Sequence, residues 1–236
     1  MAEKLLEIRN LKKYFGKGDS LVKALDDVSF DIYKGEMLAL IGNSGCGKST
    51  LLNIIGGMDS PTSGQVLLNG VDITAYKDRE LTKYRKEKIG FIFQFYNLLP
   101  DLTALENVRM SLPEKDKEHL GEKTLELVGL GDQKMHQYPS QMSGGEQQRV
   151  SIARALVKNA ELILCDEPTG ALDNKTGRMI LELLQDIVRK QGQTMVLVTH
   201  TTPIADMADR VITLRDGKIQ NEKINKNPKD AKDIDW

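Results

Sequence analysis

The stretch GNSGCGKST, residues 42–50, places Gly42, Gly45 and Gly47 ahead of Lys48, Ser49 and Thr50. Glycines at this spacing let backbone N–H groups close on an anion, and a helix starting at the lysine adds its positive end at the same point. The chemistry this serves is phosphate binding. Gly42, Asn43, Ser44, Gly45, Cys46 and Gly47 form the wrapping loop, Lys48 reaches the β- and γ-phosphates, Ser49 ligates Mg2+, and Thr50 touches the α-phosphate. In LILCDEP an apolar run ends on Asp166 and Glu167, carboxylates that are costly to bury unless a cation or a water meets them. Asp166 is therefore suited to the Mg2+ shell. Glu167, pointing elsewhere, is suited to polarise an attacking water as general base. MVLVTH closes a further apolar run on His200, at the kind of strand end that lines the ligand crevice of an open α/β sheet and can contact a γ-phosphate. Gln94, the polar residue within the strand-like GFIFQF, supplies an arm towards Mg2+ and the same water.

A second glycine-rich turn opens SQMSGGEQQRVSIARAL, residues 140–156. Val150, Ala153 and Val157 recur on one helical face, so Ser143, Gly144 and Gly145 stand at a helix N-terminus with free N–H groups. That is a second anion site, and its natural occupant is again a phosphate. Either the helical block folds back so that both turns face one γ-phosphate, or each copy of the chain presents this turn to the nucleotide of another copy. Phe95, Tyr96, Leu98 and Leu99 would be wasted on a solvated loop and suggest a partner-binding surface.

The elements that must hold these residues are legible as alternating strands and helices. LLEIRNLKKYF and VKALDDVSFDIYKG alternate as antiparallel strands, EMLALIG is a buried strand entering the phosphate loop, and KSTLLNIIGGM is the helix after it. From about 75 to 160 the chain reads as a helical subdomain with GFIFQF among its helices. Strand and helix then alternate again through ELILCD, KTGRMILELLQDIVRKQG, TMVLVTH, PIADMADR and the hairpin RVITLRDGKI. The expected fold is α/β, a mostly parallel sheet covered on both faces, with an antiparallel β part and an inserted helical subdomain. One domain is expected over 1–236, with 1–74 and 161–220 as its core. The polar tail 221–236 is expected to be partly disordered.

With 33 Lys+Arg against 34 Asp+Glu, the net charge of −1 gives no overall basic field to draw nucleic acid. No apolar run has the length of a membrane span or signal peptide. The two cysteines, Cys46 and Cys165, lack metal-like spacing and fit a reducing cytosol. His119 and His136 lie in polar surroundings and are read as structural.

Taken together, GNSGCGKST, Gln94, SGGEQQ, LILCDEPTGALD and His200 in VTH resemble the nucleotide-binding subunit of an ABC transporter, over about residues 5–220. The resemblance implies ATP and Mg2+ as cofactors. It also implies two subunits paired head to tail, with each ATP held between one copy's phosphate loop and the other's signature turn, Ser143, Gly144, Gly145 and Glu146. It assigns Asp173 to the loop that communicates between the two sites and Tyr14 to the aromatic stacking on adenine, with Val22 completing that pocket. GFIFQFYNLLPDLTALENV and MSGGEQQRVSIARAL are most similar to the branch of the macrolide exporter, the lipoprotein-release ATPase and the cell-division ATPase. Met142 and Glu146 depart from the commonest signature. The methionine conserves volume, and the glutamate is usual in this branch.

That branch implies a homodimer on the cytoplasmic face of the membrane, bound to a permease with few transmembrane helices and a large extracytoplasmic domain. Phe95, Tyr96, Leu98 and Leu99 would receive the permease's coupling helix. The rival within the branch is a regulator of cell-wall hydrolases that transports nothing; soluble ABC ATPases are the more distant alternative. A phosphate-loop GTPase is disfavoured because both NK sites, NKTG and NKNP, lack the guanine-reading aspartate.

Overall fold

The computed structural model describes residues 3–112 and 117–235. The chain enters through β1 (Lys4–Phe15) and β2 (Val22–Tyr33), whose apolar residues alternate and which pair antiparallel. β3 (Met37–Ile41) runs into the phosphate loop and α1 (Lys48–Ile55), followed by β4 (Ser63–Leu68) and the short β5 (Val71–Asp72). β2, β1, β4 and β5 form a four-stranded antiparallel sheet in that order. α2 (Asp78–Glu87) leads to β6 (Ile89–Ile92), and α3 (Ala104–Arg109), α4 (Lys117–Leu127), α5 (Asp132–Met135) and α6 (Gly144–Leu156) follow. The chain closes with β7 (Leu162–Asp166), α7 (Asn174–Gln191), β8 (Thr194–Thr199), α8 (Thr202–Ala205), β9 (Arg210–Arg215) and β10 (Lys218–Ile224).

The second sheet has six strands in the order β10-β9-β3-β8-β7-β6, parallel except for β10. Every residue of β8 is buried, as a central parallel strand requires. Its neighbour β3 shows how the sheet divides two cores. Leu38 and Leu40 join Leu51, Ile54 and Ile55 of α1 on one face, while Met37 and Ala39 join residues of α6 and α7 on the other.

Two expectations are corrected. β6 lies within the stretch read as a helical subdomain, yet it is the edge strand of the six-stranded sheet, with Ile89 opposite Leu162 and Ile92 opposite Cys165. Ile89 and Ile92 are fully buried, and α2 packs on this strand, so the helical block proper spans α3 to α6. β6 also ends at Ile92, which places Gln94 in the turn beyond the strand.

The polar tail is ordered through residue 235. β10 continues to Ile224, and Ala231 and Ile234 are buried. Gln185 of α7 donates from Nε2 to the Lys229 carbonyl at 2.8 Å and accepts from the Ala231 N–H at 3.0 Å. A buried glutamine offering both a donor and an acceptor satisfies tail backbone that composition alone assigns to solvent. Trp236 and residues 113–116, within the stretch read as a helical subdomain, lie outside the described residues.

Candidate active site

β3 delivers the phosphate loop, and the loop's own geometry forces its glycines. Gly47 has φ +107°, and a Cβ there would strike the Ala24 carbonyl. The loop is clasped from outside by the β9–β10 turn, whose Gly217 N–H donates to the Cys46 carbonyl at 3.2 Å. Lys48 Nζ donates to the carbonyls of Gly42 at 2.7 Å and Asn43 at 3.0 Å, which centres the ammonium over the loop. A cavity of about 440 Å³ opens here, lined by Ser44, Gly45, Lys48, Ser49, Thr50, Glu167 and His200 among others. Residues distant in sequence thus share one space.

β7 and β8 bring the acid and the imidazole. The Glu167 N–H continues the sheet by donating to the Val198 carbonyl at 3.0 Å, while its φ of +45° turns the side chain out of the strand. A non-glycine residue held there is strained, as is common where a side chain must be aimed. Glu167 Oε1 lies 3.1 Å from His200 Nδ1, so the imidazole orients the carboxylate beside Lys48. Asp166 accepts a hydrogen bond from the Ser49 hydroxyl, and burial pushes its carboxyl above the usual range. Such a carboxylate is stabilised by a cation. No cluster of three or more His, Cys, Asp or Glu forms a metal cage among the described residues. Mg2+ commonly takes few protein ligands and completes its shell with phosphate oxygens and water, so Ser49 and Asp166 fit it.

The glycine-rich turn at 143–146 opens elsewhere. Ser143 caps α6, and Glu146 Oε2 accepts from the Ser143 N–H at 2.8 Å and from its hydroxyl at 3.0 Å. Ser143, Gly145 and Glu146 line a separate cavity of about 350 Å³, together with Lys134, Arg149 and Thr176. Asp173 caps α7, accepting from Thr176 N at 3.0 Å and from Thr176 Oγ1 at 2.7 Å. No residue lines both cavities.

The ABC transporter family matches residues 25–170 of the chain. A lipoprotein-releasing system ATP-binding protein, LolD, from Syntrophus aciditrophicus is 44% identical over 220 residues, 91% of this chain and 98% of that protein. The macrolide export ATP-binding/permease protein MacB of Vibrio parahaemolyticus is 42% identical over 95% of this chain, which spans only 35% of MacB. A solved dimer of the ATP-binding cassette MJ0796 of Methanocaldococcus jannaschii, in a post-hydrolysis state bound to ADP and Pi, superposes with a TM-score of 0.86 at 40% identity, covering 94% of this chain and 100% of that one. The chain belongs to the ABC transporter family. Its relatives are those of the LolD- and MacB-like branch, and it is an ATP-binding, ATP-hydrolysing cassette.

Within this ABC cassette the remaining expected site residues scatter. Gln94 sits against the loop after Glu167: a Cβ on Gly170 would come within 2.8 Å of its Nε2. Tyr96 approaches the signature turn, since a Cβ on Gly144 would meet its hydroxyl at 2.8 Å. Leu98 packs on the core, which leaves Phe95 at 72% and Leu99 at 45% exposure as the open apolar surface. Tyr14 faces away from Val22. Its hydroxyl donates to Asp26 at 2.5 Å and Lys23 lies over its ring, whereas Phe15 is the cross-strand partner of Val22. Phe15 and Val22 are both exposed. Phe15, which the sequence reading did not single out, stands directly opposite Val22 in the β1–β2 ladder.

Proposed function

We propose that two copies of this cassette close head to tail on two ATP molecules and drive a membrane permease of the lipoprotein-release or macrolide-export kind. The observation carrying the proposal is that the phosphate-loop cavity and the signature-turn cavity share no residue within one copy. A signature turn that opens onto a cavity separate from its own phosphate loop is suited to another copy's nucleotide, and the dimeric form of the similar cassette supports this arrangement. In each site Gly42–Gly47 wrap the β-phosphate, Lys48 pairs with the β- and γ-phosphates, Thr50 meets the α-phosphate, and Ser49, Asp166 and Gln94 hold Mg2+. Glu167 removes a proton from the attacking water, and His200 holds the carboxylate and the γ-phosphate in register. Gly144 and Gly145 present N–H groups to the same γ-phosphate from the partner copy, on a turn set by Ser143, whose own N–H is held by Glu146. Adenine rests on Phe15 and Val22, an exposed apolar pair, in preference to Tyr14, whose hydroxyl is committed to Asp26.

The permease docks on the face carrying Phe95 and Leu99. Beside Asn97 a groove of about 240 Å³ is lined by Phe91, Phe93, Ser111, Arg154 and Lys158. Neither cation pairs with a carboxylate among the described residues; Arg154 donates to the Tyr96 and Asn97 carbonyls and Lys158 to that of Arg85. An acidic residue on the permease's cytoplasmic segment would complement them. No helix among the described residues is long and apolar enough to cross a membrane, so attachment through a permease supplies the membrane location. Similarity to LolD and MacB favours a transporter over a regulator of cell-wall hydrolases. The test is capture of tagged Glu167→Gln protein from membranes solubilised with ATP. Co-purification of a permease with a large outer domain supports the reading, and recovery of soluble machinery alone overturns it.

A further inference from the structure

Glu146 sets a problem for the signature turn that the geometry also answers. A carboxylate at the third position of α6 lies one residue from Gly145, where the turn must receive the most negative part of ATP. Its Oε2 is satisfied by the N–H and hydroxyl of Ser143, which fixes the turn but leaves the charge in place. The other oxygen, Oε1, is met by Lys134 Nζ at 2.8 Å. Lys134 sits near the end of α5, a single helical turn anchored by buried Met135, so the ammonium is brought to Glu146 by a fixed element. Lys134 and Glu146 line the same 350 Å³ cavity as Ser143 and Gly145.

We infer that Lys134 is a positioning residue for ATP-driven closure: its ammonium cancels the Glu146 charge, so that Ser143 is held by a carboxylate without that carboxylate repelling the incoming γ-phosphate. The inference rests on the reading that this turn serves the partner copy's nucleotide. It separates two jobs within one side chain. Glu146 Oε2 accepts from the N–H and hydroxyl of Ser143, and Oε1 is neutralised from α5. Removing Lys134 leaves the cap intact but leaves the Glu146 carboxylate without its ion-pair partner beside the phosphate site in both halves of the dimer, since Arg149 in the same cavity donates to the Val128 carbonyl instead.

The assay is ATP-dependent dimerisation of the Glu167→Gln protein, read by size-exclusion chromatography across an ATP titration. Adding Lys134→Gln should raise the ATP concentration for half-maximal dimer by about tenfold, within the range of two partly exposed charge pairs, and less at high salt. Lys134→Arg should preserve dimerisation. The decisive comparison adds Lys134→Gln to a Glu146→Gln background, where no charge remains to cancel and the tenfold effect should vanish. A defect equally large in both backgrounds, or none in either, overturns the inference. Thermal melting and ATP binding to the monomer detect a variant that merely misfolds, and rescue in the Glu146→Gln background excludes that cause independently. A Glu167→Gln parent that stays monomeric with ATP overturns the two-copy reading and the inference with it.

Discussion

Gly145→Ala tests how tightly the signature turn and the Asp173 loop are joined. A methyl group at Gly145 would meet Thr176 Cγ2 far inside 3.0 Å. Thr176 has little room to yield, because its N–H and hydroxyl both donate to Asp173, at 3.0 Å and 2.7 Å. Overpacking of this kind costs about 1–3 kcal/mol, and alanine's better helix propensity returns up to ~1 kcal/mol. A net loss of about 1 kcal/mol lowers Tm by roughly 2–4 °C in a chain of this size. The functional loss should be larger. If the turn shifts by about 1 Å to relieve the clash, ATPase activity falls by about a hundredfold, while monomer ATP binding at the separate phosphate-loop cavity changes little. Thr176→Ser removes Cγ2 alone and keeps the hydroxyl that Asp173 accepts, so Gly145→Ala/Thr176→Ser should recover both Tm and turnover. Differential scanning fluorimetry and phosphate release measure the two effects. A double variant no better than Gly145→Ala would refute the proposed contact.

Three further outcomes are expected. Glu167→Gln should bind ATP and dimerise but lose about 10²–10⁴ in turnover; near-normal phosphate release would remove the general-base role. Phe15→Ala should weaken ATP binding by about threefold to tenfold, the value of one aromatic contact, and Tyr14→Ala by less; the reverse order in a fluorescence titration would return adenine to Tyr14. Lys158 is pushed down to about 8 from 10.5, chiefly by burial and then by Arg154. Between those values the unfolded chain binds more protons, so this destabilising effect is complete below pH 8 and fades as pH rises. Lys158→Met should therefore stabilise the fold by about 1 kcal/mol near neutral pH, after allowing for solvent screening, and by nothing near pH 10.5. A denaturation series insensitive to pH would contradict this, and weakened permease capture by the same variant would show what the charge is for.

The phosphate loop and the signature turn were legible because an anion cradle built from backbone leaves glycines at fixed spacing ahead of a helix, and the paired carboxylates because two charges ending an apolar strand are costly unless a cation or water meets them. Gly47 at φ +107° and Ser143 capping α6 are local facts that a short stretch of sequence determines. Features that depend on pairing across the fold were not legible. β6 reads as part of a helical subdomain because its neighbours in sequence are helices, whereas its place is set by β7, which is distant in sequence. The tail reads as solvated until Gln185 supplies its hydrogen bonds. Tyr14 and Phe15 differ only in which face of β1 they occupy, and the register shift between Lys13 and Tyr14 prevents simple alternation from settling it.

That same dependence on distant partners explains how an outside partner can reach the site. β6 fixes residues 89–92 in the sheet, and Arg154 of α6 fixes the next anchored point by donating to the carbonyls of Tyr96 and Asn97. Both of these residues have positive φ, +57° and +50°, a conformation that non-glycine residues adopt only when held. Residues 93–95 therefore bridge two bodies, the sheet that carries Lys48 and Glu167 and the helix that carries the signature turn. Gln94, against Gly170, faces the catalytic side of this bridge, and exposed Phe95 faces outward. Under the proposed closure, a rotation of α6 against the sheet would flex that short span. On the proposed docking, a permease segment seated on Phe95 would be displaced by ATP-driven closure without touching the nucleotide.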